Sequence, residues 1–497
     1  MAKRIITEPS RTLQEYRLLP SLTTTESATG SIDLATTAAS TANGKRSLAL
    51  NVPLLSAAMQ SVSGVKMAIE LARLGGAAVL FCSQTPADQA AMVQAVKSYR
   101  AGFVKPRAVS PDDTIADVKK KEDELGYSTF PVIDESKKLL GLLTRNDYDP
   151  VRHATLRVRD RFVPAANLSV GVNVRDLAKA YELLADSHQP VLPIVDEEGR
   201  LQSMVFRKDI RDHLDNPRQL LDAKERLVCV GALNTHDYKE RATALVAAEV
   251  DALCLDSSDG HSTFQADALR WVKTQFPDVP LIGGNVITGD GFRFLVEAGA
   301  DAVKVGMGGG SICITQEQKG TGRGLATAVI DVVSARDAYE KETGRHIPVI
   351  ADGGIETARD ITIALALGAD ACMMGRYFAR MEESPTEKIM VNNRVMKPYW
   401  GEGSSRARTW REQRYSQSAF VEGVEGLVEY AGKLKDNLDE SLAKIRASMS
   451  SCGSKNIAAF HENAVLELIS ALSIREGQVH DIYMPPSDLG ERSWGNS

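Results

Sequence analysis

The chain is poor in cysteine, has no excess of basic residues, and contains no long apolar run. Its six cysteines in 497 residues are Cys82, Cys229, Cys254, Cys313, Cys372 and Cys452, too few and too scattered for a disulfide framework. There is no CxxC or Cys/His cluster, which speaks against structural zinc and for a reducing compartment. With 65 acidic against 59 basic side chains the formal net charge is −6, so a generally basic nucleic-acid binder is excluded and no specific nucleic-acid partner is expected. No run of about 18 apolar residues is present to cross a membrane. The opening MAKRIITEPSRTLQEY lacks the apolar stretch of a signal peptide, so a cytoplasmic protein is expected. HExxH, GxxxxGK[ST] and GxSxG are also missing, leaving zincin, P-loop and hydrolase-elbow readings without support.

What is present is a series of short β-branched, apolar runs separated by amphipathic stretches. They cover residues 52–59, 77–83, 227–233, 252–258, 280–286, 302–307, 348–354 and 371–376. From the third onward their starts lie 25, 28, 22, 46 and 23 residues apart, the spacing of strand–loop–helix units. Both faces of each run are apolar, as in strands buried on two sides. Eight such units predict an α/β fold, a (β/α)8 TIM barrel, with a doubly wound sheet as the structural alternative. Gly, Asp and Ser crowd the C-terminal ends of these runs, where barrel active sites lie.

Two breaks in the spacing carry information. About 145 residues separate the second run from the third, and within them one pattern occurs twice. VSPDDTIADVKKKEDELGYSTFPVIDESKKLLGLLTRNDY and VGVNVRDLAKAYELLADSHQPVLPIVDEEGRLQSMVFRKDI each read as lead-in, helix, strand, turn and second strand. This internal repeat resembles a tandem pair of CBS modules. The expected organisation is therefore residues 1–103 as the first part of the barrel, 104–220 as the tandem CBS module and 221–497 as the second part. The other break is the 46-residue unit starting at 302, whose extra length is GMGGGSICITQEQKGTGRG. A long loop at this end of a barrel is usually functional. A third excursion, about 380–430, holds a predicted hairpin (IMVNNRVMKPYW) and an arginine-rich segment.

Cys313 lies in the glycine loop, where a thiolate can serve as a nucleophile; the plain alternative is a small buried hydrophobe. Cys82, Cys229, Cys254 and Cys372 fall inside apolar runs and read as core. Asp352 in ADGGI suits ribose hydroxyls, although DGG is also simply a good turn. Gly375 and Arg376 follow the last run, where barrels commonly hold phosphate. Asp256 in LDSSDG could hold the ribose of a second nucleotide or cap a helix. The arginines of SSRARTWREQRY read as a solvated, mobile flap more simply than as a nucleic-acid patch.

Taken together and in this order, GGGSICIT, DSSDGHS, ADGGI, MMGRYFAR, YWGEGSSRAR and QRYSQ resemble the inosine-5′-monophosphate (IMP) dehydrogenase family over essentially the whole chain. The resemblance implies NAD-dependent oxidation of IMP to XMP, the committed step of guanine nucleotide synthesis. It gives Cys313 the attack on purine C2 and Thr315 the holding of water. Arg414 and Tyr415 fall on the family's mobile flap, with Arg414 as water activator and Glu422 as a second route for the proton. IMP contacts carry over to Ser56, Ser311, Asp352, Gly353, Gly354, Gly375, Arg376, Tyr399, Trp400, Gly401, Glu402, Gly403 and Glu422. NAD contacts carry over to Asp256, Ser257, Ser258, Gly306, Met307 and Gly308. A potassium ion is implied on main-chain oxygens of Gly308, Gly310 and Cys313, with Glu476, Gly477 and Gln478 from a neighbouring subunit. Gln478 stands where many relatives have glycine. The resemblance further implies a homotetramer and an adenine or guanine nucleotide at the CBS pair. GMP reductase, taken to lack the CBS pair and the Arg-Tyr flap, is the alternative activity; a catalytically silent CBS nucleotide sensor is the non-enzymatic one.

Overall fold

The computed structural model describes residues 2, 5–99, 103–104, 107–125, 128–174, 177–187, 189–207, 216–407 and 421–480. Arg414 and Tyr415 of the flap lie outside the described residues. Eight parallel strands close a barrel: β1 (Leu54–Ser56), β2 (Ala77–Leu80), β3 (Val230–Leu233), β4 (Ala252–Leu255), β5 (Leu281–Val286), β6 (Ala302–Val305), β7 (Val349–Asp352) and β8 (Ala371–Met374). β8 pairs with β1 through Cys372 and Leu54, and β2 pairs with β3 through Val79 and Val230, which closes the ring across the insertion. All eight runs expected to be strands are strands of this one barrel, and a doubly wound sheet is excluded.

Alternation along each strand divides the core in two. Leu55, Ala77, Val79, Val230, Ala232, Ala252, Cys254, Ile282, Ala302, Ile350, Ala371 and Met373 fill the barrel interior. Leu54, Ala78, Leu80, Leu233, Leu253, Leu281, Val303 and Val349 face the surrounding helices. Of the four cysteines read as core, Cys229, Cys254 and Cys372 are buried, while Cys82, just past the end of β2, is partly exposed. Burial pushes the Cys254 thiol up to about 12 and those of Cys229 and Cys372 higher still, so these three are inert packing groups. A hairpin, Thr36–Ser40 with Ser47–Leu50, closes the N-terminal end of the barrel; its Ala38, Ala39, Leu48 and Leu50 join the interior cluster.

Between β2 and β3 the chain builds two like units. In each, a helix (Ile115–Leu125, then Leu177–Ala185) precedes an antiparallel pair (Phe130–Ile133 with Leu139–Leu143, then Val191–Val195 with Leu201–Phe206). The two turns match atom for atom: the Asp134 carboxylate accepts from Lys138 N, and that of Asp196 from Arg200 N. Each turn needs one positive φ, supplied by Lys137 and by Gly199. The turns also meet, with Leu139 N donating to Gly199 O and Leu201 N to Lys137 O, both at 3.0 Å. Residues 216–220, counted with the insertion on the resemblance of the repeat to a CBS pair, pack on the barrel. Leu220 belongs to the interior cluster, and Asn51 Nδ2 donates to Arg218 O and Gln219 O at 2.9 and 3.0 Å.

After β8 the expected hairpin forms, Ile389–Val391 with Arg394–Trp400. Asn392 and Asn393 both take positive φ, which a two-residue turn of this kind requires and asparagine tolerates. A third strand, Glu425–Glu429, pairs with Arg394–Trp400, so this small sheet frames the chain leading to and from residues 408–420.

Candidate active site

The C-terminal ends of the barrel strands converge with the glycine loop and the small sheet. Gly306 ends β6 at φ 141°, and a Cβ there would sit 1.9 Å from the carbonyl oxygen of Asp352, so only glycine lets β6 pass β7 at this point. The loop then runs against Gly353 and Gly354, both at positive φ; Gly309 lies so close to them that backbone faces backbone. Cys313 is partly exposed at the end of this loop. Its N–H donates to Gly310 O at 3.0 Å, and it forms a β-bridge with Gly423.

That bridge brings three expected residues together. Cys313 Sγ is 3.1 Å from Thr315 Oγ1, and the threonine hydroxyl donates to Glu422 Oε2 at 3.3 Å. Lys319 Nζ lies 3.6 Å from the same carboxylate oxygen. Thiol, hydroxyl and carboxylate thus form one chain along which a proton can move.

The residues expected to face a nucleotide cluster around it. Ser311 hydrogen-bonds the Tyr399 phenol, whose burial raises its pKa, and that phenol packs over Gly375, where an added Cβ would meet it at 2.7 Å. Arg376 opens a short helical turn, Arg376–Ala379, and is paired with Glu356 at 2.8 Å. Ser56 ends β1 with its hydroxyl 2.6 Å from that of Ser63. Trp400 Nε1 donates to Gln60 Oε1 at 3.2 Å, and the Arg406 guanidinium lies 4.1 Å over its ring. Gly401 and Gly403 pack against Gly423 and Glu422, so the 401–403 loop abuts the cysteine loop. The Glu402 carboxylate is turned toward the loops after β1 and β2, accepting from Gln60 N at 2.7 Å and from the Ser83 hydroxyl.

Asp256, at the end of β4, and Asp352, ending β7, share one cation. Lys304 Nζ is 3.0 Å from Asp256 Oδ1 and 2.8 Å from Asp352 Oδ2. Burial opposes charge on this amine, but the two carboxylates outweigh it and hold its pKa above the usual lysine value. Asn285 Nδ2 donates to Asp352 Oδ2 at 2.9 Å and to Gly306 O at 2.7 Å, while its buried Oδ1 has no partner. Of the remaining expected dinucleotide contacts, Ser257 O accepts from Asn285 N, Ser258 is exposed, and Met307 bridges to Arg323.

Lys304, Asn285, Gln60 and Ser83 were not singled out from the sequence. A lysine inside the apolar run AVKVGM was a signal for the first, and the asparagine closing PLIGGNV for the second. Glu476, Gly477 and Gln478 stand apart: Glu476 ends the helix Ala471–Glu476 and the other two follow it, all three are exposed, and Gly477 lies beside Arg17. Among the described residues no group of three or more His, Cys, Asp or Glu could hold a metal ion. No described helix is long and apolar enough to cross a membrane.

The family described as IMP dehydrogenase / GMP reductase domain matches residues 10–480. The chain belongs to that family. It is 45% identical over 487 residues to inosine-5′-monophosphate dehydrogenase of Tritrichomonas foetus, with 96% of both chains covered. It is 37% identical over 453 residues to the enzyme of the same name from Escherichia coli K12, covering 88% of this chain and 90% of that one. Among solved structures it is similar to a cysteine-to-alanine variant of GMP reductase from Trypanosoma brucei in complex with guanosine 5′-monophosphate. That match has a TM-score of 0.85 and 26% identity, over 96% of this chain and 98% of the other.

Proposed function

We propose that the protein oxidises IMP to XMP with NAD⁺ through a covalent intermediate on Cys313. The observation that carries this reading is the contact chain Cys313–Thr315–Glu422 on a glycine loop facing Gly353 and Gly354. In it the Cys313 thiolate adds to purine C2, and that carbon gives up its hydride. The dinucleotide, when bound, supplies only the hydride acceptor. Water then attacks C2 and the thiolate departs, giving XMP. Glu422 receives the proton of that water through Thr315, and Arg414 of the flap is assigned the same task.

The remaining assignments follow the same reading. Asp352 and the Gly353–Gly354 amides take the IMP ribose and neighbouring phosphate oxygens, with Gly375 and Arg376; Asp256 takes a ribose of NAD. Gly308 and Gly310 offer carbonyl oxygens for potassium, each with a second lone pair beyond the hydrogen bond it already accepts. Gln478 does not have positive φ, so a main-chain ligand there needs no glycine. The exposed apolar Leu19, Val465 and Leu468, on the strand pair Tyr16–Leu19 with Val465–Leu468, and Leu472, on the helix that ends at Glu476, support a homotetramer in which this segment reaches a neighbour. The paired units of the insertion support a tandem CBS module that takes an adenine or guanine nucleotide, in a cytoplasmic enzyme.

GMP reductase is the second reading, favoured by the structural likeness. The 35–45% identical relatives named as dehydrogenases, and the Arg414-Tyr415 pair, weigh against it. The test is direct: IMP plus NAD⁺ in potassium buffer should give NADH absorbance, while GMP plus NADPH should give no oxidation. The opposite pattern overturns the assignment.

A further inference from the structure

We infer that Lys304 is a positioning residue that couples the two nucleotide sites, acting as the shared counter-ion of one ribose acceptor in each. The inference rests on the reading above, in which Asp352 serves IMP and Asp256 serves NAD. Lys304 extends from β6, is 2% exposed, and spends two N–H bonds on carboxylates from two other strands. Asp256 and Asp352 keep partial exposure on their ligand-facing side, whereas the amine between them does not. The group therefore acts through its partners and not by touching either nucleotide.

The physics makes the two sites interdependent. Below the ammonium lies the apolar barrel interior of Cys254, Ile282, Ala302 and Ile350, where charges are poorly screened. Without the ammonium, two carboxylates would face one another across this floor; one would protonate or swing outward, and the geometry of both ribose acceptors would degrade. Asn285 supports only one side, since its amide nitrogen holds Asp352 and not Asp256.

The experiment measures IMP and NAD⁺ binding separately by titration calorimetry, in a Cys313→Ala background so that no turnover occurs. Lys304→Met should weaken both ligands, each by roughly tenfold or more, the scale expected when one partner of a buried charge pair is removed. Lys304→Arg keeps the charge and should restore both to within about threefold. Asp256→Asn alone should weaken NAD⁺ and leave IMP bound. If Lys304→Met fails to fold, the Lys304→Met/Asp256→Asn double variant removes one charge of each sign. It should fold and bind IMP within about threefold of the background while binding NAD⁺ poorly. The inference is overturned if Lys304→Met affects only one ligand, if the arginine variant is folded but as weak as methionine, or if the double variant does not regain IMP. A Cys313→Ala background that binds neither nucleotide would instead refute the dehydrogenase reading itself.

Discussion

The thiol of Cys313 and the hydroxyl of Thr315 are 3.1 Å apart, and the same hydroxyl reaches the carboxylate of Glu422, 107 residues further along the chain. A residue that is local in sequence is thereby joined to one delivered by the distant small sheet, through the β-bridge of Cys313 with Gly423. The proposed nucleophile and the proposed proton acceptor are held by different elements, so the two halves of the proposed reaction should be separable by mutation.

Cys313→Ala should remove NADH formation and leave IMP binding in place, because in the proposed reaction the thiol bonds to the purine and does not dock it. Thr315→Val and Glu422→Gln should behave differently. Each should slow steady turnover by about 10²-fold or more while preserving a first-turnover burst of NADH. Stopped-flow absorbance decides this, and loss of the burst in either variant would place it in hydride transfer instead.

Arg414 lies outside the described residues, so its prediction stands on the family resemblance. Arg414→Ala should let one NADH form per site and then stall, with the covalent adduct visible by mass spectrometry of the quenched protein. The steady rate should fall roughly 10²–10⁴-fold, the usual scale for removing a general base. A variant that shows neither burst nor adduct would remove Arg414 from the hydrolytic step.

Gly306→Ala tests the meeting of β6 and β7. The added methyl would have to displace the Asp352 carbonyl, and φ 141° is itself hostile to a side chain. Strain at such positions is about 1–3 kcal/mol, and here it falls on the strand end that bears a nucleotide acceptor. Both a lower melting temperature and a higher KM for IMP are expected; unchanged values of both would mean the backbone relaxes freely.

A pH effect is expected at the opposite end of the barrel. His346 hydrogen-bonds Asp370 at 3.1 Å and Glu340 at 2.8 Å, and its bond to Asp370 is the main cause raising its pKa above the ordinary value near 6.5. Burial and Arg336 oppose this, and the half-buried His461 nearby is shifted the other way. The folded state therefore holds a proton on His346 that the unfolded chain has lost. That stabilisation is complete below pH about 6.5 and disappears as pH rises through the folded pKa. His346→Gln should flatten this part of a melting-temperature profile; an unaltered slope would assign it to other groups.

The barrel was legible because its strands are apolar on both faces and its spacing is periodic, signals that survive in a single sequence. The cysteine loop was legible for the opposite reason: extra length and three glycines break the period. What pattern could not show was contact between distant segments. Nothing near Glu402 in sequence indicates that its carboxylate binds Gln60 and Ser83. Lys304 was visible as an odd residue in a strand, but its two partners come from β4 and β7, and only closure of the barrel brings them within reach. The end of the insertion was misplaced for a related reason. Residues 216–220 have no strand or helix pattern, and their role is to pack.

That misplacement gives the last prediction. Removing residues 105–215 and joining the ends with a short flexible linker should leave a folded protein that forms NADH within a few-fold of the full chain, since all eight strands and the cysteine loop lie outside the deletion. Extending the same deletion to 220 should be damaging. It takes away Leu220, whose N–H donates to Ala72 O at 2.8 Å and whose side chain fills the barrel interior. It also strips Asn51 of both carbonyl acceptors. Loss of a buried leucine side chain alone costs about 2–5 kcal/mol. The cut would further strain the Asp222 turn, whose carboxylate holds the buried Lys97 at 3.0 Å beside Asp251. The shorter deletion should therefore melt near the temperature of the full-length barrel, and the longer one well below it. Equal stability of the two would mean that residues 216–220 are only a tether. Loss of activity in a well-folded 105–215 deletion would make the insertion part of the catalytic machinery.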